Sequence, residues 1–321
     1  MNRVALTIGT LAGALGLAGV AQAQAEFPCQ TARVIVPYGA GGGSDVHARI
    51  LVDAANRVGS EPQLQVINIT GQGGNTGARE VHEAAPDGCT LLFQHEAILS
   101  SYITGRVDFN WDGFTPAAMA TVEPGLYAAG PNAPFDSLAK MRDYAAENPG
   151  EVLAAASLGS NTHFFLLLIQ DKLDIEFNII GYEGGRERIT ALLSDTVHVG
   201  QVGESDARQY FGGELKPLGY IAEERSETMP DVPTAKEQGV EGLEIASVRG
   251  FMLPPDTSDE IAQHYGDLFK SVLEDEKTVS ELKRLGAIID YRGPEEYAAW
   301  WQQQSDDWER IARELDIYMA D

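Results

Sequence analysis

The sequence predicts an α/β protein with two lobes around a cleft, each lobe a mainly parallel sheet flanked by helices. Two observations predict this fold. A strand, a glycine-rich loop and a helix follow one another over residues 33–59, and the same plan returns over residues 152–172. The chain of 321 residues is also long enough for two domains of ordinary size.

The two units are joined by more than one pass of the chain, which favours lobes that close on a ligand. We expect the chain to cross near residues 123–129 and again near residues 246–253. The predicted division assigns residues 24–126 together with 249–321 to lobe 1, and residues 127–248 to lobe 2.

The first glycine loop follows Arg33–Tyr38, a β-branched apolar run that is typical of a buried strand. Backbone N–H groups and the positive end of a helix dipole converge at such a loop, so we expect it to hold a carboxylate. The expected ligand-binding residues are Tyr38, Gly39, Ala40, Gly41, Gly42, Gly43, Ser44 and Asp45.

The loop has three other interpretations. A nucleotide-binding P-loop requires a lysine, which the loop lacks. A dinucleotide fingerprint requires a third small residue where Ser44 stands, and an acidic residue after the strand Gln63–Ile69, which is also absent. A tight strand-to-helix turn without a ligand stays open as an alternative.

Two further strands of lobe 1 are predicted to end near this loop. The strand Gln63–Ile69 leads to a second glycine loop, and the strand Thr90–Gln94 leads to two polar residues. Ligands of open α/β sheets lie at the carboxyl ends of strands. The candidates are Gly74, Asn75, His95 and Glu96, and a loop histidine without a ligand role stays open for His95.

Lobe 2 repeats the arrangement with small hydroxyl and amide side chains at a helix start, where an anion site and a simple helix cap are both open. The candidates there are Gly159, Ser160, Asn161, Thr162 and His163. Two more strands, Phe177–Tyr182 and His198–Val202, add Tyr182, Glu183 and Glu204 to the predicted ligand site.

The amino terminus predicts export. Arg3 precedes an apolar run, and Ala21-Gln22-Ala23 is an A-x-A cleavage pattern, so we expect residues 1–23 to be a cleaved signal peptide and the protein to be periplasmic. The formal net charge of −25 argues against nucleic acid as a partner.

Cys29 and Cys89 each stand at or just before the start of a predicted strand, so neighbouring strands would bring them together in a disulfide. A catalytic thiol is the alternative, but it lacks a local histidine. The six histidines are scattered without metal-ligand spacing, so we expect no metal and no cofactor. Trp300, Trp301 and Trp308 lie near helical spacing and are predicted to pack in the core or between lobes.

Several motifs together resemble the solute-binding proteins of tripartite tricarboxylate transporters, the Bug family. In order they are VPYGAGGGSDVHARIL, INITGQGGNTGARE, APDGCTLL, NPGEVLAAASLGSNTH, DVPTAKEQG and LGAIIDYRGPEEY, and they span nearly the whole chain after the signal. The resemblance implies a periplasmic-binding-protein (Venus flytrap) fold that delivers an organic carboxylate to a two-component membrane permease. It also implies that backbone amides of residues 38–45 hold the carboxylate, and that residues 159–163 form the matching loop.

The sequence departs from the family pattern at several positions. Gly42 and Gly43 stand where members commonly carry alanine or proline, and Cys89 stands where tyrosine is usual. Members often carry an aspartate near the end of the strand that leads to Glu204, so either Glu204 replaces it or the ligand differs. His47, His95, Glu96 and Arg186 are further candidates for determining specificity.

The leading hypothesis is therefore capture of a small carboxylate by a monomer, without chemistry. A sensory binding protein that docks on a receptor is an alternative, because a docking surface has no motif. A hydrolase with Ser160 and His163 is the third hypothesis, although residues three apart at a helix start are usually caps.

Overall fold

The protein is described from a computed structural model that covers residues 27–182, 185–222, 224–241, 243 and 246–320. The predicted signal peptide and Glu183 lie outside these residues.

The covered residues form strands that alternate with helices. The strands are β1 (Thr31–Val36), β2 (Gln63–Asn68), β3 (Thr90–Gln94), β4 (Thr115–Ala129), β5 (Val152–Ala156), β6 (Phe177–Gly181), β7 (Val199–Val202), β8 (Lys216–Ile221), β9 (Ala246–Leu253) and β10 (Ile288–Arg292). The helices are α1 (Gly43–Arg57), α2 (Asn75–His82), α3 (Ala97–Ile103), α4 (Leu138–Glu147), α5 (Asn161–Leu173), α6 (Gly185–Leu193), α7 (Glu204–Tyr210), α8 (Asp259–Leu273), α9 (Glu276–Lys283) and α10 (Pro294–Glu314). Short 3₁₀ turns lie at Gln72–Gly74, Trp111–Gly113 and Lys236–Gln238.

The strands join in the order β2-β1-β3-β9-β4-β7-β5-β6, and β8 and β10 both pair with β4. β1 is parallel to β2 and β3, and β5 is parallel to β6 and β7, as strand–loop–helix units require. β4 and β9 are antiparallel to their neighbours, because the chain returns along them between the two units. The predicted α/β fold is confirmed, and its sheet is mixed.

β4 is the strand that both halves of the sheet share. Its residues Thr115–Pro124 pair with β9, and its residues Gly125–Ala129 pair with β7 and β8. We call β1, β2, β3, β9, β10 and residues Thr115–Pro124 of β4 the first half-sheet. The second half-sheet consists of β5, β6, β7, β8 and residues Gly125–Ala129 of β4. The change falls where the sequence predicted a crossing, whereas the exact limits of the lobes stay predictions.

The sequence reading missed the length of β4 and missed α3 and α7. Pro116 and Pro124 interrupt β4, and proline in a strand argues against a strand because it cannot donate to the ladder. α3 is buried around nearly its whole circumference, so it lacks the polar face that identifies an amphipathic helix.

The disulfide prediction is confirmed. Cys29 and Cys89 are bonded, with their Cα atoms 6.0 Å apart. The amide of Arg33 donates to the carbonyl of Cys89, which fixes the start of β1 beside the start of β3.

One hydrophobic cluster continues from the first half-sheet into the second. Trp308 of α10 is 2% exposed and stacks on Phe164 of α5 with ring centroids 5.0 Å apart. Trp301 is fully buried in the same cluster. The predicted packing role of these tryptophans is confirmed, and α10 thereby joins the two halves.

Replacing Trp308 with alanine is expected to lower the free energy of unfolding by about 3–5 kcal/mol, because a buried indole and its stacking contact with Phe164 are lost. Urea denaturation measures this change. The matched control is Trp300→Ala, since Trp300 is only partly buried and should cost less. Equal effects of the two substitutions would contradict the assigned role of Trp308.

Candidate functional site

A cavity of about 200 Å³ lies where β4 and β9 pass between the half-sheets. Both half-sheets contribute to its wall. The lining residues are His95, Glu123, Pro124, Leu126, Asn161, Thr162, Gly185, Arg188, Ile189, Gln201, Val202, Gly203, Glu204, Ser247, Arg249, Leu285 and Gly286. The ends of β3 and β7 and the start of α5 meet there, as ligand sites of α/β sheets do.

An ion-pair cluster forms the first-half wall of the cavity. Arg249 Nη1 lies 2.6 Å from Glu123 Oε2, and His47 Nε2 lies 3.0 Å from Glu123 Oε1. Burial acts to raise the pKa of Glu123, but Arg249 and His47 outweigh it and lower this pKa to about 2. The cluster ties together β9, β4 and α1.

The first glycine loop lies beside this cluster. Gly39 to Gly43 are exposed, and Arg249 Nε donates to Ser44 Oγ at 3.3 Å. Two loop amides are already occupied, because Gly41 N–H donates to Asp45 Oδ2 at 2.8 Å and Gly42 N–H donates to the carbonyl of Gly39 at 3.2 Å. The loop therefore contacts Arg249, but its residues do not line the cavity.

Asp45 organises the loop from within. Its carboxylate also accepts from Asn68 Nδ2 at 2.8 Å and from Arg49 Nε at 3.0 Å. Burial acts to raise the pKa of Asp45, but these hydrogen bonds and the one from Gly41 lower it overall. Gly41 has φ +79°, a conformation that glycine adopts without strain.

Three predicted residues do not line the cavity: Tyr38, which contacts His95, Gly74, which contacts Tyr38, and the adjacent Asn75. The rings of Tyr38 and His95 stack with centroids 4.8 Å apart, and Tyr38 Oη donates to Gln94 Oε1 at 2.6 Å. A Cβ atom on Gly74 would lie 2.9 Å from Tyr38 Oη, so this position requires glycine. Asn75 begins α2 and is 4% exposed.

His95 and Glu96 differ in what they present. His95 lines the cavity, and its Nδ1 accepts from the amide of Ala97 at 3.2 Å, which places the ring proton on Nε2. Burial, helped by Arg249, lowers the pKa of His95 to about 3, so the ring is neutral. Glu96 is buried behind Ser247, and burial raises its pKa to about 7.

The second glycine loop reaches the cavity through Asn161 and Thr162. Ser160 Oγ donates to the carbonyl of Ser157 at 2.7 Å, and Gly159 N–H donates to His163 Nδ1 at 3.2 Å. Ser160 and His163 thus serve the loop's own backbone rather than each other, which removes the basis for the hydrolase hypothesis.

The end of β7 supplies Glu204, which is 9% exposed and lines the cavity. It accepts from Tyr220 Oη at 2.6 Å and from Thr228 Oγ1. Tyr182 is partly buried against the core of the second half-sheet and does not line the cavity.

The sequence reading did not select Glu123, Arg188, Ser247 or Arg249 for the site. The available signal was Arg249, a single cation inside the apolar strand β9, because buried charges require partners. Arg188 lies two positions after the named candidate Arg186, and it donates from Nη1 to Ser157 Oγ at 2.9 Å.

Among the described residues, no group of three or more histidine, cysteine or acidic side chains is arranged to hold a metal ion. The helices in this part of the chain are also too short or too polar to cross a bilayer.

Comparison with known proteins gives consistent similarities. The chain is 33% identical over 301 residues to the UPF0065 protein in the gbd 5′ region of Cupriavidus necator, covering 91% of this chain and 90% of that one. MatC from Rhodopseudomonas palustris, solved with bound malate, is 27% identical, with a TM-score of 0.73 over 89% of this chain and 99% of that one. The periplasmic binding protein BugD has the same fold, with a TM-score of 0.71 at 23% identity over 90% and 98% of the two chains.

Residues 48–317 match the family described as the tripartite tricarboxylate transporter family receptor. The resemblance seen in the sequence motifs is thereby confirmed. The chain belongs to the tripartite tricarboxylate transporter receptor family and is a solute-binding protein rather than an enzyme.

Proposed function

We propose that this protein captures a small organic carboxylate between its two half-sheets and delivers it to a membrane permease of the tripartite tricarboxylate type. The cavity carries the proposal, because both half-sheets line it and Arg188 and Arg249 are among its lining residues. Arginine donates charge-assisted hydrogen bonds to carboxylates in a fixed geometry. The bound malate of MatC supports the ligand class.

The glycine loops belong to the proposed site as well. Since Arg249 contacts Ser44, a carboxylate at Arg249 lies next to the exposed loop from Gly39 to Gly43. The N–H groups of the first turn of α1 have no partner inside the helix, so they are available to an anion. Asn161 and Thr162 approach the same ligand from the second half-sheet.

Closure of two lobes is the proposed mode of capture. The proposed lobes are residues 24–126 with 249–321 and residues 127–248, because β4 changes partners between Pro124 and Gly125. Arg106 supports a closed form, since its Nη2 donates to the carbonyl of Leu158 at 3.1 Å from the other side of the cleft. Contacts made only in the closed form favour that form.

The proposed site of action is the bacterial periplasm, with residues 1–23 as a cleaved signal. The A-x-A pattern supports export, and the bonded pair Cys29–Cys89 suits an oxidising compartment. Docking of the closed form on the permease completes the proposed function.

A thermal-shift screen tests the ligand class. A carboxylate at about 100 times its Kd should add about 2.7 kcal/mol to the free energy of unfolding and raise Tm by several degrees. The matched controls are the corresponding primary amides, which carry no negative charge and so cannot form an ion pair with arginine. Equal shifts with acids and amides, or no shift with any acid, would overturn the proposal.

Replacing Gly42 with valine tests the first loop. Gly42 has φ −76°, so valine is tolerated by the backbone, but its Cβ would lie 3.2 Å from the carbonyl oxygen of Gly39. We expect the carboxylate-induced shift to vanish while Tm without ligand changes little. Gly212→Val is the control, because nothing lies within 4 Å of a Cβ atom there. A normal shift in the Gly42 variant counts against a role for the loop.

The Glu123 cluster predicts a pH dependence of stability. Because the folded protein lowers the pKa of Glu123 from 4.5 to about 2, the cluster stabilises the fold above pH 4.5 and loses this effect as the pH falls towards 2. Wild-type protein should lose more stability than Glu123→Gln across this window, by about 2 kcal/mol. Chemical denaturation at a series of pH values measures the difference, with the exposed Glu295→Gln as the control. Parallel pH profiles of wild type and Glu123→Gln would refute the pairing.

A further inference from the structure

The Ser247 hydroxyl offers the cavity a hydrogen-bond acceptor rather than a donor. It lies on β9, lines the cavity and is 7% exposed. Its Oγ–H donates to Glu96 Oε2 at 3.0 Å, while Glu96 Oε1 accepts from the amide of Val248. An ionised carboxylate only accepts hydrogen bonds. When Glu96 is ionised, the single hydroxyl proton of Ser247 is therefore committed, and only its lone pairs are available to a ligand.

Thr162, on the other half-sheet's wall, is restricted in the same way. Its Oγ1 accepts from the amide of Ser157 at 3.1 Å and lies 2.9 Å from Ser160 Oγ. Because Ser160 gives its own proton to the carbonyl of Ser157, Thr162 must be the donor to Ser160. The hydroxyl of Thr162 thus has only an acceptor site left.

His95 supplies a complementary donor, and it is one of several neutral polar groups on the wall that also include Asn161 and Gln201. His95 carries its proton on Nε2, since Nδ1 accepts from Ala97. A carboxylate ligand matches this donor and the guanidinium of Arg249. A ligand without any O–H or N–H group, however, leaves the acceptor of Ser247 without a partner in a buried place, which costs binding free energy.

We propose that Ser247, oriented by Glu96, selects carboxylates that also carry a hydroxyl or an amino group on the carbon skeleton. The inference rests on the proposed function and narrows its substrate class. Glu96 acts here as a positioning residue, because it fixes the direction of the Ser247 hydroxyl without reaching the cavity lining itself.

Calorimetric titration of the unmodified protein with matched series tests the selection. The series are succinate, malate and aspartate, and propionate, lactate and alanine, in a buffer above the Glu96 pKa of about 7 so that Glu96 is ionised. We expect a hydroxyl or amino member of a series to bind at least about tenfold tighter than its unsubstituted member. Comparison of the hydroxyl member with the amino member of a series shows whether the site prefers a neutral hydroxyl donor or an ammonium donor.

Ser247→Ala should reduce this ratio to within about threefold, because the acceptor is removed, and Ser247→Thr should retain it because the hydroxyl remains. Ser271→Ala on α8 is the control, since the Ser271 hydroxyl only donates to the carbonyl of Leu268 on its own helix. The ratio of affinities is the readout, because general damage to the fold weakens all members of a series alike.

The outcomes separate this inference from the proposed function. Unsubstituted carboxylates that bind as tightly as the substituted ones overturn the inference and leave carboxylate capture standing. A ratio that persists in Ser247→Ala also overturns it. If no carboxylate of any series binds, both the proposed function and the inference fall. Since the comparison of ligands needs only the unmodified protein, it decides the matter even where a variant does not fold.

Discussion

The ion pair between Arg249 and Glu123 is the constraint on which the centre of the molecule depends. A charge removed from water must be paired, and loss of one partner leaves the other uncompensated. The two residues stand on β9 and β4 at the point where the chain passes between the half-sheets, and His47 adds α1 to the same cluster. The cluster therefore fixes the relative positions of three elements around the cavity. It also places a guanidinium beside the first glycine loop, where Ser44 accepts from it.

Attraction of an anion to this protein has to be local, because the formal net charge of the chain is −25. Two arginines and two glutamates line the cavity, so their charges balance. What distinguishes the site is the direction of its hydrogen bonds: Arg249 donates to Ser44 and His95 carries its proton on Nε2, whereas the Ser247 hydroxyl gives its proton to Glu96. Directional donors in a place that excludes water contribute more than a diffuse field that salt screens.

The fold and the site differ in how far the sequence predicts them. Local patterns predict the strand–loop–helix units and the bonded pair Cys29–Cys89, since each depends on residues near one another in sequence or on neighbouring strands. Arg249 and Glu123 are 126 positions apart, and only the antiparallel pairing of β9 with β4 brings them together. The role of Ser247 depends likewise on Glu96, 151 residues earlier. No periodicity or motif encodes such contacts. The sequence therefore predicted lining residues that follow strands or begin helices, namely His95, Asn161, Thr162 and Glu204, but not the side chains that only long-range strand pairing brings to the cavity.

The shared strand β4 connects the proposed closure to ligand binding. Glu123 and Pro124 end its pairing with β9, and Leu126 begins its pairing with β7, yet all three line the same cavity. A ligand in this cavity contacts β4 at the residues where the pairing partners of the strand change. A rotation of one half-sheet therefore alters the contacts between β4 and the ligand. The stacking of Trp308 on Phe164 opposes such a rotation, because separating a buried aromatic pair costs free energy. In the proposed closure, the movement falls on the cleft side, where Arg106 donates to the carbonyl of Leu158.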